Sequence, residues 1–153
     1  MRIVLDTNIL ISAFVSNKGA SAQILARCQA GELELLISPD SIAELRRVLT
    51  YPGLRKRFRY SDEQIEAFVA FLEQEAFLLT PTASVRAVPD DADDDKFVAL
   101  ALAGQAQYLV SGDEHLLRVG QYQGVTILKP AAFLHLWQTL QQEPPDASKP
   151  KQE

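Results

Sequence analysis

The strongest constraint on the fold is a run of four residues almost at the amino terminus, Arg2-Ile3-Val4-Leu5, which ends abruptly on Asp6. Its three apolar members are consecutive, without the polar alternation of a strand that has one wet face. Such a run belongs to a strand buried on both sides, which in practice means the centre of a parallel sheet with helices above and below. Four more short apolar runs repeat the pattern: Leu33–Ile37, Ala76–Leu79, Tyr108–Val110 and Val125–Leu128.

The intervening segments read as helices. Ile9 to Val15 follows Asp6-Thr7-Asn8, with Asn8 as the cap. Ser21 caps a second helix, to about Ala30, and Gly31 sits where a left-handed stop belongs. Ser38-Pro39 opens a third, with Ile42, Leu45, Val48 and Leu49 on one face, running to about Tyr51 before Pro52-Gly53. Ser61-Asp62-Glu63-Gln64 has the form of a capping box and begins a helix to about Glu75. Thr80 to Asp93 reads as a loop, followed by helices from Asp94 or Asp95 to Gly104, from Glu114 to Val119, and from Pro130 through Leu140. Five strands alternating with helices imply a layered α/β fold with a mostly parallel sheet.

With 153 residues and 47% hydrophobic side chains, the chain has the size and composition of one globular domain. We assign that domain to residues 1–142 and read 143–153, rich in proline and lysine, as a loose polar tail. The net charge of −5 excludes an evenly basic nucleic-acid coat, but not a local basic patch. Cys28 is the only cysteine and lies in a helical apolar pattern, so it reads as a core residue. No apolar run approaches the ~18–20 residues of a membrane span, and no signal-peptide pattern opens the chain. The expected setting is cytoplasmic, without membrane attachment.

The acids concentrate where such a fold places its chemistry. Asp6 leaves the first strand, and Asp113 follows the fourth by three residues. In open α/β sheets the functional crevice lies beyond the carboxyl ends of the strands. Asp91, Asp93, Asp94 and Asp95 feed the helix before the fourth strand, and Glu44 borders the buried face of the third helix, about 40° from Val48 on a helical wheel. Helix-dipole stabilisation explains Asp94 or Asp95 taken singly, and turn chemistry explains Asp113. The joint pattern asks for more. Convergent carboxylates repel, and a divalent cation relieves that repulsion. Mg²⁺ and Mn²⁺ prefer carboxylate and water oxygens, whereas zinc is disfavoured by a set without His or Cys.

The ordered set Asp6-Thr7-Asn8-Ile9-Leu10-Ile11-Ser12-Ala13, Glu44, Asp94-Asp95-Lys96-Phe97 and Ser111-Gly112-Asp113 resembles the motifs of PIN-domain ribonucleases. It is most similar to the bacterial PIN-family toxins of toxin–antitoxin pairs, the relatives of VapC, over residues 1 to about 140. The resemblance implies a three-layer α/β/α sandwich with a parallel five-stranded sheet in the order 3-2-1-4-5. It also implies a metal-dependent endoribonuclease, the toxin of a type II pair, using one or two Mg²⁺ or Mn²⁺ ions. By position, Asp6, Glu44, Asp94 and Asp113 match the acidic quartet. Asp6 is expected to bind metal directly, Asp94 and Asp113 to complete its shell, and Glu44 to hold or orient a water. Asn8 and Ser111 match supporting positions, and Asp91 or Asp95 could replace or assist Asp94.

Arg46, Arg47, Arg55, Lys56, Arg57 and Arg59, with Tyr51, Phe58 and Tyr60 interleaved, form a basic segment able to hold phosphates and stack bases, or to receive an antitoxin. Its alternative is a solvated basic helix end. His115 reads as a surface or capping residue and His135 as structural. RNA and an antitoxin are thus the expected partners, with a homodimer implied by the resemblance alone. A DNA nuclease and a non-catalytic RNA- or protein-binding relative remain open. A phosphate-binding GxxxxGK[ST] loop is absent, and no aspartate follows the third strand as a receiver domain requires.

Overall fold

In the computed structural model, which describes residues 1–89 and 91–142, Arg2–Leu5 forms the central strand β1. The chain continues through α1 (Thr7–Val15), α2 (Ala20–Gln29), β2 (Glu34–Ile37), α3 (Pro39–Leu49), α4 (Pro52–Phe58), α5 (Asp62–Glu75) and β3 (Phe77–Leu78). A 3₁₀ turn (Ala92–Asp94) then leads into α6 (Asp95–Ala103), β4 (Tyr108–Val110), α7 (Glu114–Val119), β5 (Gln121–Tyr122), β6 (Val125–Leu128) and α8 (Pro130–Gln142). The sheet order is β3-β2-β1-β4-β6-β5, and every pairing is parallel except β5 with β6.

The absence of alternation in β1 has the expected consequence: its residues feed two cores. Ile3 and Leu5 join Leu35, Ile37 and Val110 against α1, α2, α3, α5 and α8, around Leu45, Val69 and Phe133. Val4 joins Leu36 and Leu109 against α6 and α7, around Phe97, Leu100 and Leu116. The result is the anticipated α/β/α sandwich. Five of the six strands follow the expected order, with β6 in the fifth position. The added β5 is a short antiparallel edge strand. Gln123 at φ 47° and Gly124 at φ 88° make a tight turn between it and β6, which requires left-handed backbone at both central positions. Gln-Gly signals such a turn less clearly than Asn-Gly.

Several local expectations need correction. Asp6, not Asn8, caps α1, its carboxylate accepting the Ile9 amide at 3.0 Å. α2 begins at Ala20 with no side-chain cap, and Ser21 is buried inside it. α3 stops at Leu49, and Pro52 starts α4 rather than a loop, because proline suits the first helical turn. β3 is only Phe77–Leu78, and both side chains are more than half exposed at the edge. The capping box at Ser61 and Gln64 and the positive φ of Gly31 are as anticipated. The assigned tail, 143–153, lies outside the described residues. Among the described residues, no single helix is long and apolar enough to cross a membrane.

One close approach locks α6 onto the sheet. Gly104 ends α6 directly over Leu36, and a Cβ there would overlap the leucine Cδ1. Gly104→Ala should therefore destabilise the fold by about 1–3 kcal/mol, the usual cost of overpacking a core. Urea unfolding measures this; an unchanged midpoint would mean that Leu36 has room to move.

Candidate active site

The parallel order reverses between β1 and β4, whose carboxyl ends lie side by side: Leu5 pairs with Val110, and the Asp6 amide donates to the Val110 carbonyl at 3.1 Å. The residues that leave these strands, Asp6 and Ser111, meet immediately. The Ser111 hydroxyl donates to Asp6 Oδ2 and accepts from the Asp113 amide at 2.9 Å. Asp6 Oδ1 holds the Ile9 amide. Burial pushes the Asp6 pKa up, the bonds from Ser111 and Ile9 pull it back, and the charge of Asp113 raises it again.

In front of Asp6, four side chains converge. Asp91, Asp94, Asp113 and His115 each offer one ligand atom, and these atoms lie within 4.8 Å of one another. Each has a local reason for its position. Asp91 caps the 3₁₀ turn by accepting the Asp93 amide at 3.1 Å. Asp94 stands at the start of α6. Asp113 caps α7 by accepting the His115 amide at 2.7 Å. The capping role and the convergence are the same geometry.

The electrostatic cost falls on Asp94, whose pKa is pushed up to about 7. Desolvation contributes most, followed by the charges of Asp113 and Asp91, a side-chain hydrogen bond with Asp113, and the charge of Asp6. Asp94 Oδ2 and His115 Nδ1 are buried without a hydrogen-bond partner. Two orphaned electron-pair donors inside a ring of carboxylates fit a divalent cation, which supplies both a partner and opposite charge.

Glu44 stands beside this group rather than in it. Its Oε2 accepts the Thr7 hydroxyl at 2.8 Å and makes an ion pair with Lys96. Thr7 directly follows Asp6, and Lys96 follows Asp94 by two, so these contacts couple Glu44 to the centre. Of the three acids expected to bind metal, Asp94 and Asp113 belong to this group; Asp6, expected as a direct ligand, does not, and both its oxygens are hydrogen-bonded, although its charge reaches Asp94. Of the two alternates, Asp91 flanks Asp94. Asp95 instead accepts the Ala87 and Val88 amides, both at 2.8 Å, and anchors the preceding loop. Asn8 is exposed on α1.

His115, a nitrogen donor outside the expected acidic set, stands with these acids while its side chain is 40% exposed, consistent with the surface position expected of it. Its Nδ1 lies 3.8 Å from Asp113 Oδ1 and 3.9 Å from Asp91 Oδ2. Lys96 and Thr7 lie within the motif runs, but nothing in a linear sequence shows that both reach Glu44. The Cys28 thiol is buried and its pKa pushed up to about 12, as befits a core residue.

Beside the acids, a cleft of about 840 Å³ opens between the start of α3, residues 81–89, the 3₁₀ turn and α6. Arg86 and Lys96 line it together with Asp40 and Asp95, and Pro81, Val85 and Val88 form part of its apolar wall. In the basic segment, Arg46 pairs with Glu66 at 2.9 Å, Arg55 pairs with Asp62, and Arg57 lies 5.1 Å from the Phe58 ring centre. Arg47, Lys56 and Arg59 are exposed.

A doubly covered parallel sheet with carboxylates gathered at its switch point provides the oxygen-rich setting that a divalent cation takes. The sequence matches the family described as PIN domain over residues 2–115, and the chain belongs to that family. PIN domains are metal-dependent nucleases, and the acidic group described above is where this chain would hold the metal. It is 26% identical over 117 residues to the uncharacterized protein MJ1680 of Methanocaldococcus jannaschii, a match spanning 76% of this chain and 74% of that one. Its fold is similar to the crystal structure of PAE2754 from Pyrobaculum aerophilum, with a TM-score of 0.58, 16% identity and 90% of each chain covered.

The raised Asp94 pKa has a consequence for stability. Folded Asp94 holds its proton to about pH 7, whereas unfolded Asp94 releases it near the ordinary aspartate value of 3.8. The folded state binds more protons in that window, so this group's contribution to stability falls as pH rises through it. Metal-free protein should lose thermal stability between about pH 5 and about pH 8 relative to Asp94→Asn, and Mg²⁺ or Mn²⁺ should restore it. Thermal unfolding of both proteins reads this directly. A wild-type midpoint that rises relative to the variant across that range would contradict the electrostatic account.

Proposed function

We propose that this protein is a metal-dependent endoribonuclease that acts on single-stranded RNA in the cytoplasm, as the toxin of a type II toxin–antitoxin pair. The observation that carries the reading is the convergence of Asp94, Asp113 and Asp91 over Asp6, with Asp94 raised to about 7 and one of its oxygens unpartnered. The similarity of the whole motif set to PIN-family toxins supports RNA and the toxin role.

A divalent ion such as Mg²⁺ or Mn²⁺, when bound, would lower the pKa of a water and offset charge on the phosphate. Asp94 and Asp113 would hold the ion, and the charge of nearby Asp6 would add to the negative field around it. Ser111 keeps the ends of β1 and β4 in register by bonding Asp6 and the Asp113 amide together. Glu44, oriented by Thr7 and Lys96, accepts a hydrogen bond from the attacking water and aims it. Lys96 also faces the cleft, where with Arg86 it meets the phosphates flanking the cut. A cleft of about 840 Å³ has room for unpaired nucleotides.

Exposed Arg47, Lys56 and Arg59, with Tyr51 and Phe58 beside them, extend the contact to more distant RNA. Their neighbours Arg46 and Arg55 exchange exposed carboxylates for phosphates at little cost, since surface ion pairs contribute about 0–1 kcal/mol. An antitoxin would occupy the same surface and so exclude RNA.

The test is cleavage of labelled single-stranded RNA and DNA of one sequence, in Mg²⁺, Mn²⁺ or EDTA. Metal-dependent RNA cleavage is expected, falling by about 10³-fold or more in Asp6→Asn and in Asp94→Asn. Cleavage that survives EDTA, or full activity in Asp94→Asn, would reject the mechanism. A preference for DNA would reject the substrate assignment alone.

A further inference from the structure

We propose that His115 is a metal ligand through Nδ1, alongside Asp94, Asp113 and Asp91, and that this nitrogen makes the centre select Mn²⁺ over Mg²⁺. The inference rests on the metal-dependent reading of the site and adds the ligand that decides which ion it takes.

The imidazole is placed by backbone chemistry. Asp113 caps α7, and the amide it accepts at 2.7 Å is that of His115 itself. That bond holds the base of the His115 side chain against the Asp113 carboxylate. Nδ1 then lies 3.8 Å from Asp113 Oδ1 and 3.9 Å from Asp91 Oδ2. Both distances exceed hydrogen-bond range, so Nδ1 donates to neither oxygen. The atom is nevertheless buried and has no other partner. The imidazole as a whole is 40% exposed, so it is this one nitrogen that faces inward, toward the carboxylates.

The separations suit shared coordination. With bonds of about 2.1 Å, octahedral ligands stand about 3 Å apart when adjacent and about 4.2 Å apart when opposite. The Nδ1 distances fall between these values. The full group, spanning 4.8 Å, needs only a slight contraction around an ion. Asp91 Oδ1 is occupied by the Asp93 amide, which leaves Oδ2 turned toward His115.

The choice of ion follows from donor chemistry. Mg²⁺ is a hard ion that keeps oxygen ligands and sheds water reluctantly. First-row ions gain more from an imidazole nitrogen. Three carboxylates keep the site oxygen-rich, which suits Mn²⁺ among these.

The experiment uses the full chain stripped of metal. Mn²⁺ and Mg²⁺ binding are measured by calorimetry for wild type, His115→Ala and His135→Ala, and pulsed electron paramagnetic resonance of the Mn²⁺ complexes reads coupling to a ligand ¹⁴N. Wild type should show nitrogen coupling and bind Mn²⁺ more tightly than Mg²⁺ by about tenfold or more. His115→Ala should lose the coupling and about 10–100-fold in Mn²⁺ affinity, with Mg²⁺ affinity changed less than about threefold. His135→Ala, altered at an exposed position on α8, should retain both. Mn²⁺ bound without nitrogen coupling in wild type, or with the coupling intact in His115→Ala, would overturn the proposal and leave the nuclease reading standing. Failure of wild type to bind either ion would overturn both. The wild-type spectrum decides the matter without depending on how any variant folds.

Discussion

The repulsion among carboxylates at the switch point of the sheet is the constraint around which this structure is arranged. Three aspartates face one another there while a fourth lies beneath them, and Asp94 answers by retaining its proton to about pH 7. Such a group is stable only if each member is fixed by other bonds. Ser111 supplies the central one, joining Asp6 at the end of β1 to the Asp113 amide beyond β4. The apolar runs of β1 and β4 bring these ends together, with Leu5 beside Val110. Burial of the strands thus aligns the acids, and the acids carry the chemistry.

Capping and ligation are not alternatives in this site. Asp6, Asp91 and Asp113 each terminate a local hydrogen-bond deficit at the start of a helix or turn. A capping carboxylate uses one lone pair on the backbone amide and keeps the rest. Its position is then set by the helix rather than by a mobile side chain, which is the rigidity that a metal centre needs. Glu44 is held differently, by a buried threonine hydroxyl on one side and a lysine on the other. That arrangement suits a group that orients water.

The sequence revealed the layers because apolar runs without alternation have few other uses, and it revealed the order of the acids because strand ends are legible from those runs. It revealed less where meaning depends on contacts across the fold. Pro52 reads equally as a stop for α3 or a start for α4, and only the second occurs. The β5–β6 turn rests on a left-handed glutamine, which composition does not announce. Among the consecutive aspartates, spacing alone does not separate Asp95, which anchors the 87–88 amides, from Asp91, which faces the centre. Lys96 meets Glu44, and His115 comes to stand near Asp91, only when α3, α6 and α7 are assembled.

The most direct measurement is anomalous diffraction from crystals grown with Mn²⁺. The account predicts a peak bounded by the Asp94 and Asp113 carboxylates, above Asp6 and within reach of Asp91. Density for the ion elsewhere on the surface, with this group left bare at saturating Mn²⁺, would contradict it.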